Sequence, residues 1–337
     1  MRWLSVALLS AALALLLAAC GGDTRPPDVT DGDRITVSIA LRDDANRLAA
    51  LYAIEQGIVT SDTIDVDVTY LTQSAIAEVA LARQYDVIEV TPLAVPQAAA
   101  TRDFDFAVLS GGLQNSDGTF LFAQAGSALE GPGDLRLKTI GVASLEDTSA
   151  LETRYLLQQA YGLDVDAERG DITFVPVPAA SLAEAVRGGA VDAAVIVNGG
   201  AFPLVEDEGV RVLSRVTDEL RELLGAPVIN SILVTYPDVA EEKAEALIEL
   251  NRLLAESVAY FRANQESVIE AVAREEETAD YLRWWWQRQE LLFGDRSIEM
   301  QERLLTIWEV ARTVGDLEEY PKLSDVFFNP EVGGSPP

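Results

Sequence analysis

The sequence predicts an α/β protein of two lobes, each a mostly parallel sheet flanked by helices, with a helical C-terminal extension. Three observations carry this. Short apolar, β-branched runs alternate with amphipathic helical segments, the pattern of parallel sheets covered by helices. The alternation breaks at a turn-rich stretch, Gly126 to Asp134 (GSALEGPGD), and then restarts. Beyond Asp238 the chain reads as helical to its end.

Taken in order, Ile35 to Leu41 (ITVSIAL) is a strand by its apolar and β-branched content. Ala45 to Gln56 follows as a helix, with Leu48, Leu51, Tyr52 and Glu55 at helical spacing and Gly57 placed to end it in a left-handed conformation. Ile64 to Tyr70 (IDVDVTY) alternates as a half-exposed strand does, which puts Asp65 and Asp67 on one strand face rather than in a catalytic carboxylate pair. A helix (Ala75 to Ala82), a strand (Asp86 to Val90), a helix (Leu93 to Ala100) and a strand (Phe104 to Ser110) complete the first unit. The second runs through strand Lys138 to Ala143, helix Ala150 to Tyr161, strand Ile172 to Val177, helix Ser181 to Arg187 and strand Ala193 to Val197. Val228 to Thr235 is a further strand. The next helix takes Asp238 as N-cap with Glu241 at capping-box spacing, and Leu247, Leu250, Leu254, Val258 and Phe261 form its buried stripe.

The N-terminus has a different character. Arg2 precedes the apolar run Leu4 to Leu17, which is shorter than the roughly 20 residues that span a bilayer and has the form of an export signal. Leu17-Ala18-Ala19-Cys20 closes it and resembles a bacterial lipoprotein lipobox, in which the chain is cut before a cysteine that is then lipidated. The other reading of Cys20 is a buried free thiol. The Gly-, Pro- and Asp-rich segment that follows, with little to bury, favours a tether. The expected organisation is a signal peptide (1–19), a tether (20–33), lobe one (35–120 plus 228–320), lobe two (126–220) and a tail (321–337).

Composition excludes several functions. The 337 residues carry a formal charge of −30, which repels nucleic acid and anionic lipid, so neither is an expected partner and the membrane is met only through the lipid anchor. A salty habitat and simple solubility both account for that charge. The chain has one cysteine and no histidine, which removes disulfides, Ser-His-Asp and Cys-His catalysis and the usual zinc sites. No cofactor, metal or catalytic residue is expected.

The segments Leu51 to Val59 (LYAIEQGIV), Ile64 to Val95, Leu137 to Leu163 and Ala179 to Ile196 resemble, in order and spacing, the periplasmic solute-binding proteins of ABC transporters. The type is the one that binds alkanesulfonates, taurine, nitrate or thiamine-pyrimidine precursors. The resemblance implies the type II periplasmic-binding-protein fold, with crossings near Phe120 to Ala125 and Gly225 to Ile229. It implies a monomeric, lipid-anchored, extracytoplasmic protein that captures a small solute and delivers it to an ABC permease. A sensor lipoprotein presenting its solute to a membrane receptor is the alternative. An enzyme is a weaker third, since the related pyrimidine synthases consume a histidine that this chain lacks.

Ligands of open α/β sheets bind at the carboxyl ends of the strands, which places Arg42, Asp43, Asn46, Ser74, Glu89, Thr91 and Asn115 of lobe one, and Thr148, Ser149 and Asn198 of lobe two, at the cleft. Thr148 and Ser149 serve either as a helix N-cap or as a ligand contact. Glu89 either meets the solute or pairs with Arg42. Asn198-Gly199-Gly200 is either a backbone turn or a clamp. Trp284-Trp285-Trp286 resembles an aromatic cage, but consecutive helical residues point apart, so ordinary packing accounts for them better. With Glu146 and Asp147 before the lobe-two helix, Asp43, Asp44 and Glu89 nearby and Arg42 the one cation in these loops, the expected solute is neutral or cationic rather than a sulfonate.

Overall fold

The computed structural model describes residues 34–329 apart from 102–104, 116–117, 146, 167–168 and 274–275. The expected export signal and tether, Cys20, Glu146 and residues 330–337 therefore lie outside the described residues. Strands β1 (Ile35–Arg42), β2 (Ile64–Leu71), β3 (Val87–Val90) and β4 (Ala107–Gly111) belong to a first sheet, and β5 (Leu113–Asn115) leaves it. Strands β6 (Thr119–Gln124), β7 (Thr139–Val142), β8 (Thr173–Pro176), β9 (Ala193–Val197) and β10 (Val210–Arg215) make a second sheet. The chain returns through β11 (Val228–Ile229), adds β12 (Ile232–Thr235) to the first sheet and later forms β13 (Gln289–Leu291).

The strand orders are β2-β1-β3-β12-β4 and β10-β6-β9-β7-β8, with a small sheet β11-β5-β13 between them. Each large sheet is parallel except for one strand: β12 runs against β3 and β4, and β6 runs against β9 and β10. These are the strands that arrive from the other lobe. A chain leaving the carboxyl edge of one sheet enters the other at its carboxyl edge, so it must run opposite to the strands already there. The two carboxyl edges consequently face each other.

The crossing is tighter than the sequence suggests. Phe120 to Ala125 lies almost wholly within β6, inside the second sheet, and the outward crossing is β5, which pairs antiparallel with β11 through Val228↔Asn115 and Ile229↔Gln114. The single strand expected from Val228 to Thr235 breaks at Asn230-Ser231, where the chain passes from the small sheet to the first large one. Ser231 fastens this corner: its Oγ accepts from the Leu113 N–H (2.9 Å) and its carbonyl from the Gly112 N–H (3.0 Å). Gly112 is required by that approach, because a Cβ there would stand 2.6 Å from Ser231 Oγ.

The apolar runs form the core as their pattern demands. Val87, Ile88, Val108 and Leu109 have no exposed surface, each contributing about 1.5–3 kcal/mol by leaving water. Asp44 caps helix Ala45–Glu55 by accepting from the N–H groups of Asn46 and Arg47, and Gly57 ends it with φ +65°. The Asp238 cap is a correction. Pro237 occupies the first helical position, where a missing N–H costs nothing, so Tyr236 is the N-cap of helix Pro237–Glu242 and Asp238 pairs with Arg83 instead. Helix Ala244–Ala263 follows after Lys243, and its five-residue apolar stripe is buried.

The three tryptophans point apart. Trp285 is a core residue, Trp286 packs edge-on against Phe261, and Trp284 meets Phe120 and Phe202 of the second lobe. Helix Ile298–Thr313 lies over both lobes. Trp308 Nε1 donates to the Pro92 carbonyl of the first (2.8 Å), and Arg154 of the second makes a two-point ion pair with Asp316 just beyond the helix.

Candidate functional site

A cavity of about 530 Å³ opens between the facing edges. The first lobe supplies Arg42 from the end of β1, Glu89 and Val90 from β3, and Thr91 just after them. Ser231 comes from the corner before β12. The second lobe supplies Ser144 and Asp147, which lie between β7 and helix Thr148–Tyr161. Both lobes thus contribute polar groups to one space.

The Glu89 carboxylate on the cavity wall is held from behind by the start of the first helix. Arg47 is 1% exposed. Its Nε reaches both Glu89 oxygens (3.1 and 3.0 Å), its Nη2 reaches Oε1 (2.5 Å), and its Nη1 pairs with Asp44. Glu89 also accepts from the Arg42 N–H (3.2 Å). Burial pushes the Glu89 carboxyl upward, but the Arg47 and Arg42 guanidinium groups outweigh it and hold the pKa at about 2. Burial and the neighbouring Arg47 lower the pKa of Arg42, while Glu89, Asp44 and Asp147 oppose the change. Glu89 thus lines the cavity while its carboxylate is held chiefly by Arg47, a partner that the sequence did not suggest.

Of the ten ligand-binding residues expected from sequence, Arg42, Glu89 and Thr91 line the cavity. Asp43 is exposed, and Asn46 is buried with Oδ1 accepting from Gln289 of β13 (3.2 Å), so it ties the first helix to the small sheet. Thr148 is buried and its Oγ1 has no partner among the described residues, while Asp147 at the N-cap makes no side-chain cap. Ser149 accepts through its carbonyl from Thr153 Oγ1 (2.7 Å). Asn198 adopts φ +48° and opens the short helix Asn198–Ala201, in which Gly199 faces the Tyr281 ring. The side chains of Ser74 and Asn115 lie outside the described set; their backbones start helix Gln73–Leu81 and end β5.

Sequence reasoning missed Ser144, Ser231 and Arg47. An arginine in the first turn of a helix, three residues after its Asp44 cap and in a mostly apolar segment, is a signal that could have found Arg47. Glu152 was missed too. It is fully buried in helix Thr148–Tyr161, accepting from Thr119 Oγ1 (2.7 Å) and Asn230 Nδ2 (3.2 Å). Burial raises its pKa to about 7, more than the two hydrogen bonds lower it.

Two sheets meeting at their carboxyl edges across a shared cavity define a protein with the periplasmic-binding-protein fold. The periplasmic aliphatic sulphonate binding protein of Escherichia coli superposes with a TM-score of 0.67 at 14% identity, over 87% of this chain and 97% of that one. The alkanesulfonate-binding protein of Xanthomonas axonopodis bound to MOPS gives 0.63 at 14%, over 89% and 98%. A structural-genomics protein of Archaeoglobus fulgidus gives 0.62 at 19%, over 84% and 98%. No curated protein matches the chain in sequence. Residues 37–309 match the menaquinone biosynthesis family, and the chain belongs to it. The sulfonate-type resemblance thus holds for the fold, while the family is one that the residue patterns had not named.

Proposed function

We propose that this chain is an extracytoplasmic, lipid-anchored binding protein that takes a small organic molecule into the interlobe cavity and delivers it to an ABC permease. The observation that carries the reading is the cavity itself, with Arg42, Thr91 and Ser231 on one wall and Ser144 and Asp147 on the other. A molecule held by both walls favours the closed arrangement of the lobes. Leu17-Ala18-Ala19-Cys20 and the tether support the anchor. The test is a thermal-shift screen of sulfonates, amines, aromatic carboxylates and heterocycles on wild type and Arg42→Ala. A ligand present at one thousand times its dissociation constant adds about 4.1 kcal/mol of stability, and that gain should vanish in the variant.

Family membership over residues 37–309 favours a second reading, a chemical step of menaquinone biosynthesis in the same cavity. Mass spectrometry of each stabilising compound after incubation separates the two. A binder returns it unchanged; an enzyme does not.

A further inference from the structure

The cavity does not end at the cleft. Helices Gln73–Leu81 and Ala94–Thr101 both begin at the carboxyl edge of the first sheet, after β2 and β3, and run back along it. One face of each lines the cavity: Ala77, Ala80 and Leu81 from the first, Ala94, Ala98 and Thr101 from the second. Phe106, which immediately precedes β4, also lines it and therefore marks the edge of the sheet away from the cleft. At that end Leu81 is 68% exposed. The lining thus changes along its length, from the charged Arg42, Glu89 and Asp147 at the cleft to mostly apolar alanine, leucine and phenylalanine between the helices, with Gln97 and Thr101 the uncharged polar exceptions.

We propose that the site takes an elongated amphipathic molecule, with a compact polar head in the cleft and a slender apolar tail between these two helices. The proposal rests on the reading that the cleft holds a small molecule, and it specifies the class. From Ala94 to Thr101 the helix advances about 10 Å, enough for roughly eight methylenes. Alanine side chains leave width for a chain but little more, and among the described residues no charged group lines the stretch between the helices to match a charged tail. At the head, Arg42 shares the lining with the carboxylates of Glu89 and Asp147, which suits a neutral polar group.

The n-alkyl esters of 4-hydroxybenzoate, methyl to decyl, test this when titrated calorimetrically into the full chain. Affinity should rise about fourfold per methylene, the equivalent of about 0.8 kcal/mol for each one buried, and level off near eight carbons. Ala77→Phe, at an exposed helix position whose fold should tolerate it, narrows the channel. It should weaken the longer esters far more than the methyl ester and so abolish the rise with length. Ala98→Val, a smaller intrusion from the opposite helix, should shorten the rise. A rise of equal slope in wild type and both variants, or no dependence on length while the methyl ester still binds, overturns the channel and spares the cleft. Absence of binding at every length, the methyl ester included, overturns both.

Discussion

Glu152 Oε1 accepts a hydrogen bond from Asn230 Nδ2 at 3.2 Å, joining a buried carboxyl of the second lobe to the corner at which the chain returns to the first. Thr119 and Asn230, which donate to Glu152, are both neutral, and among the described residues no cation pairs with it. The ordinary carboxyl value near 4.5 is raised to about 7. A group whose folded pKa is raised contributes stability fully below its unfolded pKa and loses it as pH rises through the folded value. Between pH 4.5 and 7 the wild type should therefore lose about 3 kcal/mol relative to Glu152→Gln. Urea denaturation of both proteins at pH 5 and pH 8 checks this: the stability difference between them should shift in favour of the glutamine variant at the higher pH.

Glu89 behaves in the opposite sense. Its pKa is held at about 2, so its contribution is present above pH 4.5 and disappears as the pH falls toward 2. Removing one partner leaves a buried charge alone, which costs about 3–5 kcal/mol. Arg47→Met should lower the urea midpoint accordingly at pH 7. Glu89→Gln combined with Arg47→Met should recover much of that loss, since neither charge is then stranded.

At the crossing, Gly112→Ala puts a Cβ against Ser231 Oγ and, at 3.0 Å, against its carbonyl. Overpacking of this kind costs about 1–3 kcal/mol. Because Ser231 also lines the cavity, ligand affinity should fall together with stability. Calorimetry and thermal melting on one preparation check both; unchanged affinity in a destabilised variant would separate the corner from the site.

Cys20→Ser should release the protein from washed membranes without altering ligand affinity. The lipobox-like run before Cys20 and the Gly- and Pro-rich segment after it motivate this. Fractionation followed by immunoblotting reads the result, and retention of the serine variant in membranes would contradict the anchor.

Much of the fold is visible in local pattern. Ile35 to Arg42, Ile64 to Leu71 and Ala193 to Val197 form strands within a residue or so of where their β-branched runs lie, and Gly57 ends the first helix as its position demands. What escaped notice belongs to contacts distant in sequence. Strand β13 is three residues of helix-compatible Gln-Glu-Leu and exists because β5 pairs with it across more than 170 positions. The same holds for the site. Arg42, Glu89 and Thr91 follow from the rule that ligands sit at strand ends. Ser231 enters because a strand breaks at a crossing, and helical Arg47 because its partner Glu89 lies 42 positions away on β3.

On the proposed function, one molecule is held by both lobes at once. Hydrogen–deuterium exchange, with and without a compound found in the thermal-shift screen, tests it most directly. Protection should rise together in the first-lobe segments around Arg42 and Val90–Ala94 and in the second-lobe segment Ser144–Thr148. Protection confined to one lobe, or located away from these segments, would contradict it.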